Sequence, residues 1–280
     1  MREIDVSIIE KTVEELFLQA NTILPESLEN RINTASKEEK NPVAGSIFCD
    51  MCRNLEIAKN TGIPICQDTG MAVVFCKIGQ DVHIEGGDFN EAVNKGVRNA
   101  YLYGKMRCSI VEDPLKRVNT NDNTPALVHI EIVPGEAIEL TAAPKGFGSE
   151  NMSKIKMFTP SATVDDIVDF VVDTVKTADA NPCPPVVVGV GIGSDFEGSA
   201  ILAKKALCRD VSVRNSDNFY SDIESKMLAE INKLNIGAQG FGGDITALAV
   251  NIEKAPTHIA GLPVAVNIGC HVTRHASKVI

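Results

Sequence analysis

Three cysteines interrupt what otherwise reads as regular structure: Cys66 in IPICQDTG, Cys183 in ANPCPP and Cys270 in VNIGCHVTRH, each beside proline or glycine. Loops at element ends are where a rigid scaffold presents ligands. The separations, 117 residues from 66 to 183 and 87 from 183 to 270, are far too long for a zinc knuckle or a ferredoxin-type run, so only a folded domain can gather these thiols. Gathered, three thiolates can hold a cubane cluster that leaves one iron without a protein ligand. Such an iron is a Lewis acid for a carboxylate and a hydroxyl leaving group. Polar groups suited to a small anion surround these loops: Gln67 and Asp68 directly after Cys66, then Arg107, Lys145, Ser149-Glu150-Asn151 and His258. His258 lies in a loop twelve residues before Cys270, where an imidazole either donates to a substrate carboxylate or is structural.

The other candidate motifs carry less. Cys49 and Cys52 form C-x-x-C on one face of a helical stretch with no second pair to complete a zinc site, and they read as core cysteines. Cys76, Cys108 and Cys208 read as packing. His271 and His275, four apart, lack the glutamate of a zincin motif and read as structural or supporting groups. Gly189, Gly191 and Gly193 follow a β-branched run, but the third glycine of a dinucleotide fingerprint is absent. A tight strand-to-helix turn with close backbone packing is the simpler reading.

The elements that must position these residues are legible in outline. The first sixty residues read as three helices, the first capped by Asp5 and the third running from Pro42 to a stop at Gly62. Met71–Ile78 reads as a buried strand and residues 89–104 as a helix. Ala126–Ile132 and Ala137–Ala143 flank Val133-Pro134-Gly135-Glu136, which predicts a β-hairpin. A helix over Val164–Thr177, a strand at Val186–Val188, helices over Ala200–Cys208 and Phe219–Leu234, and strands Thr246–Ile252 and Pro263–Ile268 complete a mixed α/β (α+β) chain. A helical N-terminal region thus precedes mixed sheets flanked by helices. No internal repeat or linker divides the sequence.

Composition narrows the partners. Of 280 residues, 44% are hydrophobic and 23% charged, with net charge −10, which suits neither a nucleic-acid backbone nor an anionic membrane. No run approaches the roughly 18 apolar residues of a membrane helix, and acids break up the N-terminus where an export signal would lie. A soluble, cytoplasmic protein is expected. Its eight cysteines are then thiols rather than a disulfide framework.

Cys66-Gln67-Asp68-Thr69-Gly70, Lys145-Gly146-Phe147-Gly148-Ser149-Glu150-Asn151, Gly237-Ala238-Gln239-Gly240-Phe241-Gly242-Gly243 and Gly269-Cys270-His271 together resemble the class I, iron–sulfur fumarate hydratases over nearly the whole chain. More narrowly the chain resembles the α subunit of the two-subunit form, a grouping that includes the α subunit of L-tartrate dehydratase. The resemblance implies a [4Fe-4S] cluster on Cys66, Cys183 and Cys270. It implies substrate contacts from Gln67, Asp68, Arg107, Gly148 and His258, with Asp68 and His258 as catalytic candidates. The activity implied is reversible hydration of fumarate to L-malate or, alternatively, dehydration of tartrate; an iron–sulfur protein without catalysis is a third reading. Residues 1–280 are expected to form the single N-terminal catalytic domain. The C-terminal domain of single-chain members does not follow Cys270, which implies a β subunit as partner in a hetero-oligomer that contacts a small dicarboxylate and no nucleic acid or membrane. An iron open to oxygen also implies an oxygen-sensitive enzyme.

Overall fold

A computed structural model describes all 280 residues. In chain order its elements are β1 (Arg2–Asp5), α1 (Val6–Thr22), α2 (Glu26–Glu38), α3 (Pro42–Thr61), β2 (Val73–Gly79), β3 (Val82–Glu85) and α4 (Phe89–Tyr103). Then come β4 (Leu127–Val133), β5 (Ile138–Ala142), α5 (Phe147–Glu150), β6 (Lys154–Phe158) and α6 (Val164–Ala178). The chain ends with β7 (Val186–Ser194), α7 (Phe196–Ala206), α8 (Asn218–Asn232), β8 (Ala247–Thr257), β9 (Leu262–Gly269) and β10 (Ala276–Val279). The mixed α+β class expected from the sequence is the class observed. The residues divide into two compact units: Met1–Pro25, Ile57–Gly146 and Arg274–Ile280 form the first, Glu26–Glu56 and Phe147–Thr273 the second.

Local signals explain the helix ends. The Asp5 side chain accepts from the Ser7 amide at 2.8 Å and starts α1, satisfying one of the orphan donors of a first turn. Pro42 opens α3, and Gly62 follows its last residue with φ +69°, a left-handed stop that glycine takes without strain. In α6, Thr163 and Asp166 exchange the two hydrogen bonds of a capping box.

Unit 1 stacks α1 and α4 on a four-stranded sheet of order β10-β5-β2-β4. Ile9, Val13 and Phe17 of α1 and Val93, Val97 and Tyr101 of α4 bury against Val74, Cys76 and Leu140 of the sheet. The expected hairpin between β4 and β5 does not form. Instead β2 lies between them, parallel to β4 (Val73↔Leu127) and antiparallel to β5 (Val74↔Ala142). The cause is at the turn: residues 134–137 pass over the end of β2, where Gly79, Gln80 and Asp81 donate to the carbonyls of Ala137, Val133 and Gly135 at 2.8 to 2.9 Å. A Cβ on Gly79 would stand 2.4 Å from the Gly135 oxygen, so only glycine lets the turn pass this closely.

Unit 2 builds its sheet in the order β6-β9-β7-β8, buried on both faces. Helices α6 and α8 cover one face through Val171, Val175, Met227 and Ile231. The glycines at 189 and 191 are not a turn, as expected, but the interior of β7. A Cβ on either would meet the Ala203 or Ser199 carbonyl of α7 at 2.1 or 2.0 Å, so the close-packing half of the expectation describes them and strand β7 runs on to Ser194. Again the central strand β7 is parallel to one neighbour, β8, and antiparallel to the other, β9, and again a short turn joins those two across its end. The sequence shows no repeat, yet the two sheets repeat one topology: a central strand clasped by a turn-connected pair, with a fourth strand, β10 or β6, antiparallel on the outside.

The short strands β1, β3, β6 and β10 and the single turn α5 were not anticipated, because four or five residues carry too little periodicity. Cys49 is exposed and Cys52 half-buried, so this pair is not core as expected; only part of α3 faces inward.

Candidate functional site

In unit 1 the segment Cys66–Gly70 leads into the N-terminal end of β2 as a tightly held loop. The Cys66 thiol points to Gln67 Oε1 at 3.5 Å. Asp68 Oδ1 accepts from the Gly70 amide at 3.0 Å, and the Asp68 carbonyl accepts from Arg274 Nη2 at 2.6 Å. Arg274, nine-tenths buried, is held in turn by Asn21 at 3.0 Å. From below, the buried Tyr101 hydroxyl lies 2.9 Å from the Thr69 and Gly70 carbonyls, and its pKa is driven well above that of an ordinary phenol by burial.

The same loop fixes Arg107. The Thr69 hydroxyl accepts from the Arg107 amide at 3.0 Å and donates to its carbonyl at 3.2 Å, which leaves the exposed guanidinium chain free of the tether. Gly146 completes the group: a Cβ there would lie 3.1 Å from Asp68 Oδ2, and neighbouring Lys145 is bridged through its backbone to Met71. Unit 1 therefore gathers Cys66, Gln67, Asp68 and Arg107 around one loop, and adds Arg274.

In unit 2 the thiols of Cys183 and Cys270 belong to loops at one end of the sheet. Cys183 precedes β7, and Cys270 follows β9, which is antiparallel to it. His271 ties the loops together: its Nδ1 lies 3.0 Å from the Cys183 carbonyl and its backbone amide donates to the same oxygen at 3.4 Å. The same Nδ1 lies 3.4 Å from Gln239 Nε2, so the imidazole stands between the Cys183 and Gln239 loops. Gln239, in the glycine-rich loop 237–243, donates to the Pro184 carbonyl from its amide at 2.8 Å and from Nε2 at 3.0 Å. Gly148 stands beside the Cys183 loop, its Cβ position 3.3 Å from the Asn181 oxygen.

His258 is not part of this group. It sits, exposed, on the turn between β8 and β9, with Nδ1 accepting from the Ala260 amide at 3.1 Å, which leaves Nε2 to donate outward. Because β8 runs parallel to β7 and β9 runs back, this turn lies at the end of the sheet opposite Cys183 and Cys270. The length of β9 separates them, about 25 to 30 Å at strand rise.

The eight cysteines form no disulfide. Five of them contrast most: burial pushes the thiols of Cys76 and Cys208 up to about 12, whereas Cys66, Cys183 and Cys270 lie on loops, half-buried to exposed. Thiols that ligate must ionise, so loop cysteines fit iron–sulfur ligation in type and access. No three His, Cys, Asp or Glu side chains stand together as a ready-made metal site. Sequence reasoning missed Arg274 and Gln239 and gave His271 only a supporting role; all three lie within four residues of Cys270 or in a glycine-rich loop the sequence had already marked.

The fumarate hydratase (Fumerase) family model matches residues 10–279. The chain belongs to the fumarate hydratase family. It is 41% identical over 276 residues to a Methanocaldococcus jannaschii protein that bears the provisional name L(+)-tartrate dehydratase subunit alpha, covering 96% of both chains. It is 30% identical over 264 residues to the L(+)-tartrate dehydratase subunit alpha of Escherichia coli O157:H7, covering 93% of this chain and 86% of that one. This fumarate hydratase family member is thus matched across both of its compact units, the Cys66 loop and the Cys183–Cys270 pair included. The family is one of hydro-lyases, which places the chain among lyases. No helix is long and apolar enough to cross a membrane.

Proposed function

We propose that the chain is the α subunit of an iron–sulfur hydro-lyase that reversibly removes water from a four-carbon 2-hydroxy-dicarboxylate. The observation that carries this reading is the joining of the Cys183 and Cys270 loops through His271, with Gly148 beside them, in a chain matched to the fumarate hydratase model over residues 10–279. Cys66, Cys183 and Cys270 would hold a [4Fe-4S] cluster, which when bound supplies Lewis-acid polarisation of the leaving hydroxyl.

The protein residues do the rest. Gln67 and Asp68 orient the substrate, and Asp68, held through its own loop amide, is placed to pass a proton or to orient the group that does. Removing a proton beside a carboxylate builds negative charge on it, and Arg107 and the Gly148 amide offset that charge. His258 can meet the same substrate only from a second copy of the chain, because its own copy holds it a strand length away from Cys183 and Cys270. The relatives' names as α subunits support a β subunit as partner, and a reducing cytoplasm suits the loop thiols.

Two substrates divide the reading. The family's name favours fumarate and L-malate; the relatives' names favour L(+)-tartrate. The test is anaerobic iron reconstitution of the chain with its β subunit, followed by separate assays with L-malate and L(+)-tartrate. Turnover of either that needs both subunits and iron supports the hydro-lyase, and the ratio of the two kcat/KM values names the substrate. A fully loaded cluster with no turnover of either acid refutes it in favour of a non-catalytic iron–sulfur protein.

A further inference from the structure

The stretch 106–110, which carries Arg107, belongs to no helix or strand, so no backbone ladder fixes it. Side chains do. Thr69, almost fully buried, accepts from the Arg107 amide at 3.0 Å and donates its hydroxyl to the Arg107 carbonyl at 3.2 Å. Two residues on, the Ser109 amide donates to Asn123 Oδ1 at 2.7 Å, while Asn123 Nδ2 donates to the Gly70 carbonyl at 3.1 Å. An amide hydrogen needs an acceptor and a carbonyl a donor, and a carboxamide in this one orientation serves both.

Asn123 is fully buried, where a polar side chain is kept only with its hydrogen bonds made. It is also firmly mounted on α4. Its neighbour Asp122 accepts from Arg98 Nε at 2.8 Å, and the Ala126 amide, three residues on, donates to Asn94 Oδ1 at 2.9 Å. The Asn123 φ of +61° is a left-handed conformation that asparagine takes more readily than most residues. Ser109 follows Arg107 by two residues, and Gly70 follows Asp68 by two. One side chain therefore ties the two backbones together at matching places, and the Arg107 guanidinium stays exposed beyond the tie.

We propose that Asn123 is a positioning residue of the hydro-lyase: by bridging the Arg107 segment to the Cys66–Gly70 loop, it sets where the guanidinium stands relative to the Asp68 carboxylate. It thereby sets the span over which one dicarboxylate meets both groups. The inference rests on the reading that Arg107 and Asp68 meet substrate. A misplacement of about 1 Å in a group that must match the transition state costs about 100-fold in rate, so a side chain that holds such a group acts on catalysis without touching substrate.

The test is a double-mutant cycle on the iron-loaded complex with the β subunit, with kcat and KM followed for whichever of L-malate and L(+)-tartrate the wild-type complex turns over. Asn123→Gly removes both bonds without straining the backbone at φ +61°. It lowers kcat/KM about tenfold or more beside Arg107, and by less than about twofold in an Arg107→Met background, where no guanidinium is left to aim. A purely structural role would lower it equally in both. Asn123→Asp keeps the side chain's size and the Ser109 bond but offers the Gly70 carbonyl no donor; it lowers kcat/KM in the same direction and decides the question where the glycine variant does not fold. Asn119→Ala removes a bond of the same kind, from Asn119 Nδ2 to the Cys108 carbonyl at 3.0 Å, which has no link to the Cys66–Gly70 loop, and leaves kcat/KM within about twofold. Apart from turnover, Asn123→Gly makes the Ser109 amide of the full chain exchange with solvent at least about tenfold faster. Equal losses in the two Arg107 backgrounds, an unchanged kcat/KM in both Asn123 variants, an equally large loss in Asn119→Ala, or a Ser109 amide that exchanges no faster overturns the inference and leaves the hydro-lyase reading standing. A loaded wild-type complex that turns over neither acid overturns that reading, and this inference with it.

Discussion

If His258 acts on substrate, it does so in a site built by another copy of the chain, and this can be counted. β9 separates the His258 turn from Cys270 by about 25 to 30 Å, and no imidazole spans that distance. Consider two variants, Cys183→Ser, which removes one of the proposed cluster ligands, and His258→Ala, which removes the proposed donor. Each alone is inactive or weak; loss of a hydrogen bond to a charged substrate of about 1.5–3 kcal/mol leaves His258→Ala about 10- to 150-fold slower. Mixed in equal amounts and allowed to exchange subunits, they form mixed dimers in about half of the population. In such a dimer one site receives its cysteines from the His258→Ala chain and its imidazole from the Cys183→Ser chain, and is intact. One site in two, in half of the dimers, gives about a quarter of wild-type activity. The assay is hydro-lyase turnover of the iron-loaded, β-subunit-containing mixture before and after exchange. Activity that stays at the average of the parents refutes the reasoning, because it places His258 and the cluster ligands in the same copy or His258 outside the reaction.

Three further outcomes follow from the packing and the thiols. Gly191→Ala forces a Cβ to within 2.0 Å of the Ser199 carbonyl, so β7 and α7 must separate at a cost of at least about 1–3 kcal/mol; a melting temperature lowered by less than about 2 °C would show the contact to be soft. Glu224 is fully buried against Arg209 and accepts from the Ile252 amide at 2.8 Å, so Arg209→Ala leaves a buried carboxylate without its cation and destabilises unit 2 by about 3–5 kcal/mol, measurable by denaturant titration. Cys76 and Cys208, raised from 9.0 to about 12 in the fold, contribute stability that is complete below pH 9 and is lost as pH rises toward 12, because the unfolded chain gives up those protons first. The melting temperature should fall through that window, and Cys76→Ala with Cys208→Ala should flatten the fall.

What could be read from the sequence was local. Asp5 as a cap, Pro42 and Gly62 as the ends of α3, and the loop setting of Cys66, Cys183 and Cys270 all depend on neighbours within a turn of chain. The β4–β5 hairpin failed for a non-local reason. Val-Pro-Gly-Glu is a sound turn, but nothing in residues 126–143 says that β2, fifty residues earlier, will slide between the two strands. The same blindness hid the repeated topology, since the two sheets share connectivity without sharing sequence. The role of Arg274 was hidden because its partner, Asp68, lies 206 residues away. Direction along the sheet was the costliest loss: His258 and Cys270, twelve residues apart in sequence, stand at opposite ends of β9.

The repeat also accounts for where the proposed site residues sit. In open α/β sheets ligands gather at the carboxyl ends of parallel strands, which here would select the turns at 134–137 and 258–261. Both cysteine-bearing loops lie at the other end, where β2 and β7 begin. In each sheet the antiparallel neighbour of the central strand delivers its own carboxyl end there: β5 leads into Lys145 and Gly146 beside Asp68, and β9 leads into Cys270 and His271 beside Cys183. A strand's amino end and its antiparallel neighbour's carboxyl end thus meet, so two loops from distant sequence are pinned to one edge by the ladder itself. That arrangement suits a ligand that must be gripped by rigid thiols more than one that must be closed over by mobile loops. It also puts His258 on a carboxyl-end turn, at the end of its sheet away from Cys183 and Cys270.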